Sequence, residues 1–258
     1  LADADVEADR AAIGTIFTSG YGPVENNAAF ADSVAEGAPL LASPTVFSYT
    51  VPNACLGQVC IVHGLQGPST MLLAGDAAEY AALLLAGGKA PHILCGAVED
   101  PTAELRASFD AAGALSSEKI AGGAVTLLLS AKSSAKSYCR ITKFASAALP
   151  VYPYVSRLSD AQGEAAVRAM TAALAYVRQD APPDLVLTAE NGGGFDAKEQ
   201  AARREALGDV RAMHAKCIFG ESLNCGYLEN IALGAALLRG ERECGGKIRS
   251  IVATGLDV

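Results

Sequence analysis

The stretch that most limits the fold is "STMLLAGDAAEYAALLLAGG", residues 69–88. An apolar run from Thr70 to Ala74 breaks at Gly75 and resumes as a small-residue amphipathic segment, the outline of a strand turning sharply into a helix. The chain around such an elbow must supply a sheet for the strand and a covering layer for the helix. Many enzymes hold a nucleophile on this turn, yet Gly75 stands where a Cys or Ser belongs. Glycine suits a left-handed turn that a residue with a Cβ resists. Asp76, with Glu79 three residues on, reads as a helix N-cap and its reciprocal partner, a capping box worth roughly 1 kcal/mol.

Strand and helix signals alternate along the rest of the chain, which predicts an α/β class. "AIGTIFTSGYGP" (12–23) is a β-rich run closed by turn residues, and "VENNAAFADSVAEG" has helical spacing that stops at Gly37. Ala54 to Val62 reads as an apolar helix ending at Gly64. After the elbow come a strand in "HILCGAVED" and two β-rich runs, "GGAVTLLLSAK" and "YCRITKFASA". "ALPVYPYVSRLSD" (148–160), with two prolines, reads as a connector. The second part repeats the alternation: a helix over 164–179, a strand in "DLVLTAENGG", a helix in "AKEQAARREALG", a strand-like "RAMHAKCIFG", a helix in "GYLENIALGAALLRG" and a closing strand in "KIRSIVATGLDV". No tandem repeat of 20 to 50 residues is visible. The reading is a single domain over 1–258, with an N-terminal half at about 10–147, a connector at 148–163 and a C-terminal half at 164–258.

The net charge of -8 and pI of about 4.9 exclude a sequence-independent nucleic-acid binder, which needs a basic face against phosphates. No apolar run reaches the roughly 18 residues of a membrane span, and the start, "LADADVEADR", is acidic rather than a basic signal peptide. A cytoplasmic protein is expected. Because the chain begins at Leu1 without Met, an upstream portion is expected to be missing. The seven cysteines (55, 60, 95, 139, 217, 225, 244) are odd in number and mostly in apolar contexts, so reduced, buried thiols are expected. No Cys-x-x-Cys accompanies Cys55 and Cys60, so no zinc site is expected.

Three further places carry chemistry. "TAENGGGFDAKEQ" (188–200) is a Gly cluster between a strand and a helix. Such a loop is either an anion cradle or a flexible connector. Neither Gly-x-x-x-x-Gly-Lys nor Gly-x-Gly-x-x-Gly occurs there, so no nucleotide cofactor is expected. Asp196 and Glu199 read as another capping pair. "KCIFGESLNCGYLENIALG" (216–234) places Glu221 and Cys225 on a Gly-flanked turn before a helix, where the dipole can activate a thiolate. His63 closes an apolar helix and reads as structural.

Taken in order, these segments resemble the thiolase-like β-ketoacyl synthase family. "TVPNACLGQVCIVHGLQGPS" is similar to the segment before that family's active-site strand, and "MLLAGDAAEYAALLLAGGKAPHILCGAVED" to the nucleophile strand, elbow, Ala-rich helix and following strand. "GGAVTLLLSAKSSAKSYCRI" is similar to the start of its crossing strands, "ENGGGFDAKE" to its His-Gly-Thr-Gly-Thr loop and "KCIFGE" to Lys-Ser-x-x-Gly-His. The resemblance implies a layered αβαβα fold with two pseudo-repeated halves, truncated relative to full ketosynthases and lacking the first strand region. It also implies that Gly75 replaces the acyl-carrying Cys, Asn191 the first His and Glu221 the second. Condensation needs that thiolate and those donors, so no catalytic residue is expected. The implied function is that of a chain-length factor, a vacant subunit that pairs with an active ketosynthase and shapes the acyl pocket in polyketide, aryl-polyene or fatty-acid-like biosynthesis. Its partners would be the active ketosynthase, as a heterodimer, and an acyl carrier protein. A homodimer is the other arrangement, and neither nucleic acid nor membrane is an expected partner. The resemblance puts Ser69, Thr70, Met71, Leu72 and Leu73 at the subunit interface. A second reading is an acyl-thioester-processing enzyme with displaced chemistry, using Cys225 or Asp76 as nucleophile or Glu221 as base. A third is a homodimeric carrier-protein or small-ligand binding module.

Overall fold

Apolar side chains on β1, Gly14–Ser19, point to both faces, so this strand needs a covering layer on each side. In the computed structural model, which describes residues 9–35, 42–113, 115–134, 136–154, 158–178, 180–240 and 248–256, it has both. β1 is flanked by β2, Ser69–Leu73, and β3, His92–Glu99, each parallel to it, and β4, Gly123–Ser130, closes the sheet antiparallel to β3. Ile13 and Phe17 pack with Leu56 and Val59 of α3, Ala54–His63. On the opposite face Ile16 packs with Ala77, Ala78 and Ala81 of α4, Ala77–Ala86, and with Leu228 of α9, Gly226–Arg239. The alanines let α4 lie close to the sheet, where a larger side chain would hold it off.

The second sheet is built on β5, Leu185–Leu187, with β6, Ala212–Met213, on one side and β7, Ile251–Ala253, on the other, all parallel. One face meets α6, Asp160–Val177, and α7, Asp196–Leu207, through Leu174, Val186, Ala202 and Leu207. The other meets α9 through Leu185, Leu187, Leu233 and Leu237. α9 therefore lies between the two sheets, and the layers run α3, first sheet, α4 with α9, second sheet, α6 with α7. This is the expected αβαβα arrangement with its repeated halves.

Shorter helices complete the chain: α1, Val24–Ala35; α2, Pro44–Ser48; α5, Ala103–Ala112; and α8, Lys216–Phe219. α2 had no signal beyond its prolines; Ser43 caps it, with Pro44 at its first position. α3 ends as expected at Gly64, in the left-handed conformation. The proposed stop of α1 at Gly37 and Cys244 lie outside the described residues.

Several expectations are corrected. "YCRITKFASA" forms no strand; the segment runs without a ladder partner among the described residues and is largely exposed. Its alternation fits a strand, but among the described residues no other strand pairs with it, and alternation alone makes no ladder. "RAMHAKCIFG" contributes only the two-residue β6 before turning into α8. α6 begins at Asp160, four residues early, because Ser159 and Gln162 form a true capping box there. The thiols are mixed rather than buried: Cys95 and Cys225 are buried, Cys60 is partly so, and Cys55, Cys139 and Cys217 are exposed. His63 is exposed on the last turn of α3, not packed.

Candidate functional site

The elbow forms as its sequence requires. The backbone N–H of Ala74 leaves β2 to bond Ser19 O at 2.9 Å, and both Ala74 (φ 62°) and Gly75 (φ 92°) are left-handed. For Gly75 that conformation carries little strain; for Ala74 it is a strained state of the kind that collects at functional turns. A Cβ placed on Gly75 would have no atom within 4 Å, so the turn has open space where a side chain would stand. Asp76 caps α4, accepting from Ala78 N at 2.8 Å and Glu79 N at 3.0 Å. The expected capping box is incomplete: Glu79 turns away and accepts from Ser146 Oγ at 3.0 Å.

The Gly cluster folds as a compact loop. Its Asp196 is the first residue of α7 rather than a cap, and its carboxylate reaches back to Asn191 N at 3.1 Å and Gly192 N at 2.8 Å. Gly193 N donates to Asn191 Oδ1 at 2.8 Å, which turns the amide so that Nδ2 donates to Glu221 Oε2 at 2.6 Å. Asn191 and Glu221, thirty positions apart, are thus brought together.

Glu221 is 1% exposed and Lys216 is 7% exposed. Lys216 Nζ sits 2.8 Å and 2.7 Å from the two Glu221 oxygens, and Leu223 N donates at 2.8 Å. The backbone of Glu221 is pinned too, its N–H to Lys119 O at 2.7 Å and its C=O to Ala121 N at 2.8 Å. The Glu221 carboxylate thus faces an ammonium and two further donors, and the Asn191 donor is spent on it. Lys216 is the residue that sequence reasoning missed here. The sequence places Lys216 five positions before Glu221, but the burial that makes the pair matter is visible only in the fold.

Cys225 lies in the 3-10 turn before α9, 0% exposed, with Sγ donating to Gly123 O at 3.3 Å. Burial first, then the nearby Glu229 charge, pushes this thiol well above its ordinary range, opposite to what thiolate chemistry needs. Glu199, expected to cap, is buried and accepts from Ala189 N at 3.1 Å and from the Thr254 hydroxyl; burial raises its pKa. Glu99, at the end of β3, accepts the Gly20 N–H, and burial pushes it up to about 7. Glu190 accepts from Gln200 Nε2 at 2.9 Å and faces His214 Nδ1 at 3.3 Å. That nitrogen also lies 2.8 Å from the Thr188 hydroxyl. With both neighbours on one ring nitrogen, this is no relay. Ser69–Leu73 form β2, an edge strand with one side unpaired among the described residues.

Among the described residues no group of three or more His, Cys, Asp or Glu is placed to hold a metal, and no helix is long and apolar enough to cross a membrane. The family described as "Beta-ketoacyl synthase, N-terminal domain" matches residues 2–181. The chain is 27% identical over 237 residues to the tetracenomycin polyketide synthase ketoacyl synthase alpha subunit of Streptomyces glaucescens, covering 78% of this chain and 55% of that protein. It therefore spans about half the length of this curated relative. Its fold is similar to a type II polyketide-synthase ketosynthase solved with its acyl-carrier protein, with TM-score 0.76, 18% identity and coverage of 92% of this chain and 68% of that one. It is also similar to the ishigamide ketosynthase/chain length factor, with TM-score 0.61, 20% identity and coverage of 92% and 68%. With a family match across residues 2–181 and the same layered fold, this chain belongs to the β-ketoacyl synthase family.

Proposed function

We propose that this chain is a non-catalytic ketosynthase subunit of chain-length-factor type, pairing with an active β-ketoacyl synthase that works on chains delivered by an acyl carrier protein. The observation that carries the reading is the Asn191–Glu221–Lys216 cluster. On the positions that match the family's two histidines stand an amide and a carboxylate bonded to each other and to an ammonium. A fixed carboxylate opposes the negative charge that develops on an enolate or oxyanion, and the elbow offers Ala74 and Gly75 in place of a nucleophile. The buried, protonated Cys225 and the capping role of Asp76 argue against chemistry displaced onto those residues.

The pairing face in this reading is β2, an edge strand whose end residue Leu73 is 62% exposed; exposed Leu83 on the following helix and Ile61 on the preceding one also support it. The ishigamide neighbour, a ketosynthase/chain length factor by name, supports this arrangement. A role in polyketide, aryl-polyene or fatty-acid-like synthesis, in the cytoplasm, is part of the proposal.

Co-expression with an active ketosynthase should give a heterodimer by size exclusion, in which an acyl-thioester probe labels the partner alone. Acyl label on this chain that is lost in Cys225→Ala would overturn the reading. So would a lone monomer, or a homodimer that ignores such partners.

A further inference from the structure

The Lys216–Glu221–Asn191 cluster gathers a primary amine and a carboxamide around one carboxylate. Lys216 Nζ and Asn191 Nδ2 both reach the same oxygen, Glu221 Oε2, at 2.7 Å and 2.6 Å. The amine is thus held beside the amide carbon that carries Nδ2. The side chains of Lys216 and Glu221 are 4% and 1% exposed, so water has little access to either. Asn191 Oδ1 accepts the Gly193 N–H at 2.8 Å. That donor stands where negative charge collects when Asn191 Cγ is attacked.

We infer that Lys216 and Asn191 join through an intramolecular isopeptide bond, with Glu221 as the proton carrier. Glu221 takes one proton from the Lys216 ammonium, and the freed Nζ lone pair attacks Asn191 Cγ. The Gly193 N–H steadies the oxyanion that forms on Oδ1. As the Cγ–Nδ2 bond breaks, a second Nζ proton passes through Glu221 to Nδ2, which leaves as neutral ammonia. The new Nζ–Cγ amide keeps the third proton, and Glu221 ends as an uncharged acid. Nothing is oxidised or reduced. Two buried charges disappear, and with them the desolvation that an interior ion pair carries. The bond fastens the loop before α7 to α8.

A competing loss of ammonia is attack on the same carbon by the backbone nitrogen of Gly192, which gives a succinimide. That N–H is instead bound to Asp196 Oδ2 at 2.8 Å, and the neighbouring Asn191 N–H to Asp196 Oδ1 at 3.1 Å. The loop holds the backbone nitrogen to a carboxylate while it leaves the side chain facing Lys216.

Intact-mass spectrometry of the purified, reduced chain, followed by trypsin digestion, is the test. The expected chain is lighter than its sequence by one ammonia. Residues 179–198 and 212–239, with Lys216 uncut, should appear as one branched species that resists hydroxylamine, with fragmentation placing the branch on Asn191 and Lys216. Lys216→Arg keeps a cation beside Glu221 but should return the chain to full mass, as should Asn191→Ala, with circular dichroism showing both folded. A wild-type chain of full mass overturns the inference, whatever the variants do. So does an ammonia loss without the branched peptide and with hydroxylamine cleavage after Asn191, which is the succinimide, and so does a branch that persists in Lys216→Arg.

Discussion

Glu99→Gln tests whether the buried carboxyl at the end of β3 costs the fold stability as pH rises. Burial raises Glu99 from an ordinary 4.5 to about 7. A carboxyl that holds its proton more tightly folded than unfolded contributes stability at low pH and loses it as pH climbs through the interval between those values. Ionising Glu99 in the fold therefore costs about 3 kcal/mol at pH 8 and under about 1 kcal/mol at pH 5. Gln keeps an oxygen to accept the Gly20 N–H and never ionises. The stability of Glu99→Gln relative to wild type should thus rise by about 2.5 kcal/mol between pH 5 and pH 8, measured by urea denaturation followed by circular dichroism. In thermal melts the same change is about 5–10 °C for a chain of this size. Comparing the variant with wild type at each pH cancels every other titrating group. A relative change below about 0.5 kcal/mol, or one of opposite sign, refutes the claim that Glu99 is desolvated in the fold.

Lys216→Met leaves the Glu221 carboxylate buried and unpaired, and should destabilise the chain by about 3–5 kcal/mol in urea melts. Lys216→Met with Glu221→Gln should recover most of that, because no charge is then left in the interior. Gly75→Cys has room for its side chain but sits at φ 92°, so it should cost about 1 kcal/mol. The new thiol should react with iodoacetamide yet show no acyl transfer from a thioester, as Asn191 and Glu221 give it no free donor or base. Leu73→Asp, on the exposed end of β2, should leave the melting temperature within about 2 °C of wild type and weaken heterodimer formation at least tenfold on size exclusion.

The elements that were legible in the sequence are those whose pattern and whose boundaries agree. β3 and β4 have long apolar runs closed by polar residues, and α3 has its Gly64 stop. What was illegible depended on distant neighbours. Glu199 looks like a capping residue because Asp196 lies three positions before it, but the loop from 189 to 196 turns Asp196 toward Asn191 and Gly192 and buries Glu199 against Thr254. "YCRITKFASA" has the alternation of a strand, and a strand exists only when another edge accepts its hydrogen bonds. The site shows the same division. Gly75, Asn191 and Glu221 were singled out through the family resemblance of their glycine-flanked segments, while the Lys216 bond to Glu221 required the fold.

That bond also explains how a carboxylate can stand where the resemblance places a histidine. A lone Glu there would be an uncompensated buried charge, a defect of several kcal/mol that a marginally stable chain does not tolerate. Lys216 neutralises it, the Leu223 amide and Asn191 fill its remaining acceptor positions, and the Glu221 backbone ties the second half to the turn before β4. The backbone bonds to Lys119 and Ala121 join the two halves, while the contacts with Lys216, Leu223 and Asn191 occupy groups that could otherwise act on a substrate. Under the proposed reading, with Asn191 and Glu221 bonded to each other, a thiol placed at the elbow should give no catalysis by itself. The same reading predicts acyl transfer only when Asn191→His and Glu221→His are combined with Gly75→Cys; Gly75→Cys with either histidine alone should show none in a thioester-probe assay.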